Sequence, residues 1–194
     1  MLDRLTRYWV YGGTLAGALM LALYPLTTRG WPAALALTYL LLPLYMLHQY
    51  EEHDDDRFRL FINRTIGEGR EVLSPLAVFI INVPGVWGVI AASTWLAADL
   101  RPGLGLVAAY LCVVNAIVHI AHAVIFRGYN PGLATAVVLL LPGGASTIVA
   151  IDRAGGGALA WHAVGLAIAI VIHAGIIVLA EANKAKGGEA ARPA

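Results

Sequence analysis

The chain has 194 residues, of which 59% are hydrophobic and only 13% charged, and its mean hydropathy is +0.73. A soluble domain usually carries about 25% charged residues, so this composition argues against one. The formal net charge of +1 gives no electrostatic basis for binding nucleic acid. The sequence also contains neither a P-loop nor a dinucleotide-binding fingerprint. Cys112 is the single cysteine, which excludes an intrachain disulfide.

Apolar residues come in six long runs, and these predict six membrane-spanning helices. Each run is about 17–23 residues long, which matches a hydrocarbon core about 30 Å thick. In lipid only helices and closed barrels satisfy every backbone polar group, and the alternating pattern of barrel strands is missing. We therefore expect an all-α, multi-pass helix bundle that forms a single domain over residues 1–183. The six runs are residues 8–26, 31–47, 76–96, 104–126, 133–151 and 158–180.

Basic residues are distributed unevenly between the two ends of these spans. Only Arg29, Arg101 and Arg153 fall at one end, and the remaining lysines and arginines fall at the end that holds both termini. Cytoplasmic ends carry the excess of positive charge, so both termini are predicted to be cytoplasmic. We expect a multi-pass protein of a bacterial-type inner membrane, with the lipid bilayer as its immediate partner.

Two segments are predicted to lie outside the spans on the cytoplasmic side. Residues 51–75 form the one long connection, and their mixture of arginines and large apolar residues is compatible with a short helix on the membrane surface. Residues 184–194 are small and polar, which predicts a disordered tail.

Ionisable side chains stand at the cytoplasmic end of the second span. His48 precedes Glu51 by three residues and Glu52 by four, so these side chains share one helical face. Glu51 and Glu52 point about 100° apart, so that one can bind a metal while the other acts as acid or base. His53 follows directly and is predicted to be solvated.

The fourth span places polar groups at a similar depth. Asn115, His119 and His122 recur at helical spacing, and His119 lies about 10 Å from the end of the span at 1.5 Å per residue. Asn82 in the third span and His173 in the sixth are at nearly the same depth. Five spans, counting the polar start of the fifth, thus contribute to one layer near the cytoplasmic face.

This layer has the composition of a metal site. Imidazoles and carboxylates bind zinc and iron, and ionisable groups near hydrocarbon are costly enough to indicate function. The alternative is structural, with the glutamates paired to nearby arginines and the histidines hydrogen-bonded within the packing. The predicted metal ligands are His48, Glu51, Glu52, His119, His122 and His173. The predicted catalytic residues are Glu51, Glu52 and Asn115.

Two motifs in this layer resemble those of the HXXEE family of uncharacterised membrane proteins. The first reads His48-Gln-Tyr-Glu51-Glu52, and the second begins with Asn115-Ala-Ile-Val-His119. The second continues with Tyr-Asn-Pro-Gly at residues 129–132 and a threonine at 135. The resemblance covers roughly residues 39–135 and implies a polar intramembrane site without a settled reaction. Independently of it, the Asn-Pro pair at 130–131 is typical of an N-cap and first position of the fifth helix.

Our leading hypothesis is a metal-dependent integral membrane enzyme that acts on a lipophilic small molecule. Zinc would suit hydrolysis by a metal-activated water. A di-iron oxidoreductase or desaturase is the alternative, but six histidines are few for such a centre and it would need an electron donor. An ion or proton translocator is less favoured, since the layer is off-centre and no inverted repeat is visible. A metal-free isoprenoid cyclase or isomerase would use a protonated glutamate. The sequence carries no signal for an oligomeric state.

Overall fold

The computed structural model describes residues 1–189, and within that range all regular secondary structure is helical. Five of the helices are long and apolar enough to cross a membrane, which indicates a multi-pass membrane protein. In chain order the helices are α1 (Leu2–Thr27), α2 (Ala33–His53), α3 (Arg57–Thr65), α4 (Pro75–Asp99), α5 (Pro102–Ile125), α6 (Leu133–Arg153) and α7 (Leu159–Glu189).

Helix α2 is the exception among the six predicted spans, because it is not among the five helices that qualify by length and composition. It was expected to end near residue 47, but it continues to His53, so its last turns carry the polar motif. The helix nevertheless lies in the middle of the bundle, where it packs against α1, α4, α5 and α6. Its polar end is therefore enclosed by neighbours.

Both described ends of the chain lie at the same end of the bundle as the end of α2. In α1, the ring of Trp9 packs on His53 with 5.0 Å between centroids, and Tyr11 donates a hydrogen bond to Asp54. At the end of α7, the Lys184 ammonium lies 2.8 Å from the Glu68 carboxylate. The start of α1 and the end of α7 therefore both lie near the polar motif at the end of α2.

Residues 54–74, which connect α2 to α4, form a cover that packs against the bundle. Helix α3 buries Ile62, and Asn63 accepts hydrogen bonds from the backbone N–H groups of Val72 and Leu73, both at 2.9 Å. These contacts fold residues 66–74 back against the bundle, where Val72 and Leu73 are buried. The structure has a helix in this segment, α3, while its predicted place on the cytoplasmic membrane surface stays a prediction.

The end of α7 differs from the predicted tail. The disordered segment was expected from residue 184, whereas α7 continues to Glu189. The remaining tail residues, 190–194, lie outside the described residues.

Two helices contain one wide, π-helical turn each. In α4 it covers Ile81–Trp87 and includes Pro84, and in α6 it covers Ala136–Leu140. The wide turn of α4 brings Asn82 and Trp87 to the same partner, because both side chains bond to Gln49 of α2. Residues five apart point about 140° from each other in a regular helix at 3.6 residues per turn, so the wide turn is what lets both face α2.

Candidate metal centre

Three buried side chains from two helices converge at the polar end of α2. His48 and Glu52 are one turn apart on α2, and His119 reaches them from α5. The Glu52 carboxylate lies 3.5 Å from His48 Nε2 and 3.4 Å from His119 Nε2. One ligand atom from each residue lies within 4.8 Å of the other two, which is compact enough to hold one metal ion.

Asn130 fixes the orientation and tautomer of His119. The Asn130 amide Nδ2 donates to the carbonyl oxygen of His119 at 2.9 Å, so its Oδ1 is the atom that faces the ring. His119 Nδ1 lies 2.6 Å from that oxygen and must therefore carry the proton that it donates. Nε2 of His119 is left with a lone pair, directed at Glu52.

Thr135 fixes His48 in the same manner. The Thr135 hydroxyl donates to a Glu51 carboxylate oxygen, which can only accept while Glu51 is ionised. The hydroxyl oxygen must then accept from His48 Nδ1, which lies 3.0 Å away. Nε2 of His48 is again the unprotonated nitrogen, and it is buried without a hydrogen-bond partner among the described residues.

With both rings neutral, the facing atoms of His48, Glu52 and His119 are all acceptors, and the nearest further ring nitrogen is His53 Nε2, 3.1 Å from Glu52. Two imidazole lone pairs and the Glu52 carboxylate face one another in a buried space, which is unfavourable unless a cation or protons lie among them. Ligands about 2.0–2.1 Å from a tetrahedral zinc ion are about 3.4 Å apart. Each imidazole lies at about this separation from one Glu52 oxygen, 3.5 Å from His48 Nε2 to Oε2 and 3.4 Å from His119 Nε2 to Oε1. Outer hydrogen bonds on both imidazoles are also the usual support of metal-binding histidines.

Gly132 closes the site from the α5–α6 connection. A β-carbon there would lie 2.7 Å from His119 Cε1 and 2.8 Å from His48 Cε1, closer than such atoms approach. The residue also has φ of +95°, a conformation that favours glycine. A backbone without a side chain is therefore required for this connection to lie against both rings.

Glu51 lies outside the three-residue cluster, although it was predicted as a ligand. Its carboxylate accepts hydrogen bonds from the backbone N–H groups of Ala134 at 3.1 Å and Thr135 at 2.7 Å, in the first turn of α6. It thus caps α6 from another helix. It also accepts from the Tyr129 hydroxyl, and desolvation together with this bond raises the pKa of Tyr129 to about 12.

His122 and His173 also lie outside the cluster. His122 packs between the rings of Phe61 and Phe126. The Nδ1 atom of His173 bonds to the backbone oxygen of Ala169 on its own helix, at 2.8 Å. Both histidines line an apolar cavity next to the cluster, so they lie near the site without joining its ligands.

Three further polar residues surround the same cavity. Asn115 is buried, and its Oδ1 has no partner among the described residues. Asn82 accepts from Gln49 and donates to the Val78 backbone oxygen, both at 2.8 Å, so it bonds between helices. The prediction that His53 is solvated is wrong, because Trp9 and the covering segment leave only 5% of it exposed.

The sequence reasoning missed the supporting residues Asn130, Gly132 and Thr135. The Asn-Pro pair was expected to begin the fifth helix, but α6 begins at Leu133 and Asn130 instead binds His119. A usable signal was the second motif itself, in which Asn130, Gly132 and Thr135 recur close after His119. Their roles depend on how the α5–α6 connection folds back, which the local pattern does not show.

The fold and the cluster together define a class: multi-pass membrane proteins with a buried histidine–glutamate group. The chain belongs to the HXXEE family, since the model for "Protein of unknown function with HXXEE motif" matches residues 39–147. The motif that names this family is the segment that supplies His48 and Glu52 here. No curated protein and no solved structure matches the chain.

Proposed function

We propose that this protein is a metal-dependent integral membrane enzyme, hydrolase-like in its chemistry, that acts on a lipophilic substrate. The observation that carries the proposal is the convergence of His48 Nε2, His119 Nε2 and the Glu52 carboxylate, all acceptors, on one buried point. Such a set is typical of a catalytic zinc site, in which two histidines and a glutamate leave one position open.

In this proposal the side chains of the cluster hold one divalent ion, zinc or iron. A bound zinc ion would supply Lewis acidity and an acidified water at neutral pH. Asn130 and Thr135 keep each imidazole in the tautomer that binds metal. Asn115 faces the reacting group from one turn before His119, where its unpartnered oxygen can accept a hydrogen bond.

A single ion is favoured over a di-iron pair by the direction of Glu51. A dinuclear centre uses several carboxylates, whereas Glu51 is turned away to the start of α6 and to Tyr129. Glu52 is then the one carboxylate that the described residues direct at the cluster. We therefore assign Glu51 a positioning role rather than that of a ligand.

We further propose that α2 crosses the membrane as a sixth span and that both termini are cytoplasmic. Its 21 residues extend about 30 Å at 1.5 Å per residue, and it lies among helices that qualify as spans. The basic residues of α3, of the cover and of α7 lie at the end that holds the site, which supports a cytoplasmic site in a bacterial-type inner membrane.

Elemental analysis of untagged protein, purified in mild detergent without chelators, tests the metal site. About one zinc or iron ion per chain is expected in the wild type, and loss of most of it in Glu52→Gln and His119→Ala. The matched control is His162→Ala, since His162 bonds to Tyr110 and Asp152 outside the cluster. A folded wild type that neither contains metal nor takes it up would overturn the proposal.

Activity is tested with a panel of long-chain esters, for example p-nitrophenyl palmitate, in detergent micelles. Hydrolysis that is lost on chelation and restored by zinc is the expected result, with Glu52→Gln inactive throughout. Hydrolysis that resists chelation, or a desaturated product formed only with iron and a reductant, would contradict the proposed zinc-dependent hydrolysis.

A further inference from the structure

An apolar cavity adjoins the metal cluster and leads away from it between α4 and α7. Its empty volume is about 860 Å³, including the part open at its mouth. Val78 and Ile81 of α4 line the cavity, as do Ile172 and Ile176 of α7. Ile177, another lining residue, is 46% exposed on a helix apolar enough to span the bilayer, so we expect the cavity to open toward lipid there.

The inner end of the cavity is polar and incompletely satisfied. Glu52 and His119 of the cluster reach it, and Asn115 and His53 lie beside them. The Asn115 Oδ1 and both ring nitrogens of His53 are buried without hydrogen-bond partners, although His53 Nε2 lies 3.1 Å from Glu52. Buried polar atoms are nearly always paired, so these unpaired atoms indicate a ligand that offers both a donor and an acceptor.

The charge of the cavity wall limits that ligand further. None of the described residues that line the cavity is a lysine or an arginine. In the ion-free protein, a phosphate or carboxylate head group would meet the Glu52 carboxylate and no lysine or arginine, while hydroxyl, ester and amide groups would be satisfied by asparagine and histidine. The recognised head group is therefore uncharged.

The size of the cavity limits the number of hydrocarbon chains. The 860 Å³ includes open space at the mouth, and the enclosed part of the cavity is much smaller and narrow. This is room for one chain with a small head group. A phospholipid would have to leave its second chain outside.

We propose that the cavity binds an uncharged, single-chain lipid, namely a long-chain alcohol, ester or amide. Its chain lies between α4 and α7, and its head group lies between Asn115 and Glu52, next to the metal cluster. That this lipid is a substrate rests on the proposed function, but its binding does not require the ion.

A photoreactive hexadecanol that carries a diazirine on its chain tests the site in purified protein. Crosslinks located by mass spectrometry are expected on α4 and α7 at the cavity wall. Ile176→Trp fills the cavity and should reduce labelling about tenfold, which corresponds to about 1.4 kcal/mol. Val178→Trp is the matched control, because Val178 is 65% exposed on the same helix and is not a wall residue, and it should label like the wild type.

Competition and a polar variant test the head group. In metal-free protein, unlabelled hexadecanol should compete more strongly than hexadecane or hexadecyl phosphate, and Asn115→Leu should remove its advantage over hexadecane. Equal labelling of Ile176→Trp and Val178→Trp, crosslinks elsewhere, or stronger competition by the phosphate would overturn the proposal.

The same samples separate this inference from the enzyme proposal when their metal content is measured. Labelling of the cavity in protein that never binds metal would sustain the lipid site and reject the metalloenzyme. Stoichiometric metal without labelling would reject the lipid site and leave the metal centre standing.

Discussion

Asn130 bonds to His119 twice, through the ring and through the backbone. The imidazole Nδ1–H donates to the amide oxygen at 2.6 Å, and the amide nitrogen donates to the His119 carbonyl at 2.9 Å. The second bond shows that the amide nitrogen of Asn130 points to the backbone and its oxygen to the ring. Because that oxygen can only accept, Nδ1 of His119 is the protonated ring nitrogen. A residue eleven positions along the chain therefore determines the chemistry that His119 presents to the cluster.

Replacing this amide should weaken the metal site without removing a ligand. In Asn130→Leu the His119 ring loses its orienting acceptor, and loss of such an outer partner typically costs about 10–100-fold in metal affinity. Competition with a chromogenic chelator measures the change. Asn183→Leu is the control, because Asn183 bonds to the Val72 backbone instead. Wild-type affinity in Asn130→Leu would contradict the assigned tautomer.

Adding one methyl group at Gly132 should destroy the site. Gly132→Ala places a β-carbon within 2.8 Å of both ligand rings, so at least one imidazole must move. Gly155→Ala is a matched control, since φ there is also positive, at +75°, but nothing lies within 4 Å of the added carbon. Both variants carry the backbone strain of about 1–2 kcal/mol, and only Gly132→Ala should lose its metal. Equal metal content in the two variants would show that Gly132 does not close the site.

Replacing Glu51 should lower stability, whereas replacing Glu52 should remove the metal. Glu51→Gln removes a charged acceptor from the first turn of α6, so thermal unfolding should show a loss of about 0.5–2 kcal/mol while metal is retained. Glu52→Gln should lose the metal, because an amide is a poor substitute for the carboxylate ligand. Glu68→Gln controls for charge removal, since Glu68 pairs with Lys184 at the surface, where an ion pair adds little to stability. Metal loss in Glu51→Gln, with Glu52→Gln unaffected, would reverse our assignment.

Tyr129 should make stability sensitive to alkaline pH. Its pKa is raised to about 12 by desolvation and by the bond to Glu51, compared with about 10 in an unfolded chain. Because the folded pKa lies above the unfolded one, neutral Tyr129 contributes its full stabilisation of the folded state below about pH 10. This stabilisation is lost as the pH rises through about 12. Denaturation followed by circular dichroism should show a smaller alkaline loss of stability in Tyr129→Phe than in the wild type. An equal loss of stability with rising pH in the wild type and in Tyr129→Phe would contradict this prediction.

Helical periodicity was sufficient to group His48, Glu52 and His119. Spacing put the first two on one face of a helix, and counting from the ends of the spans put the third at a similar depth. The same counting also selected His173, which instead bonds to its own backbone at Ala169. Depth is fixed by position along a helix, whereas the direction of a side chain also depends on how that helix is rotated against its neighbours.

The different roles of Glu51 and Glu52 could not be predicted from the sequence for the same reason. Adjacent helical residues point about 100° apart, and only the placement of α6 shows which one faces the cluster. His53 illustrates the effect of the chain that covers it. A histidine at the end of a span is expected to meet water, but Trp9 of α1 and Phe58 of α3 pack on both sides of its ring.

The wide turns of α4 and α6 are the places where these helices can lose a residue without rotating the rest of the helix. Each turn adds a residue relative to regular helical winding, and one of them aligns Asn82 with Trp87 on Gln49. Deleting one residue from 81–87 would let α4 return to regular winding with its remaining residues in phase, whereas a deletion in a regular stretch would turn the rest of that helix by about 100°. A single-codon deletion scan should therefore retain more metal within 81–87 and 136–140 than within 107–114 of α5, where each deletion rotates His119 away from Glu52.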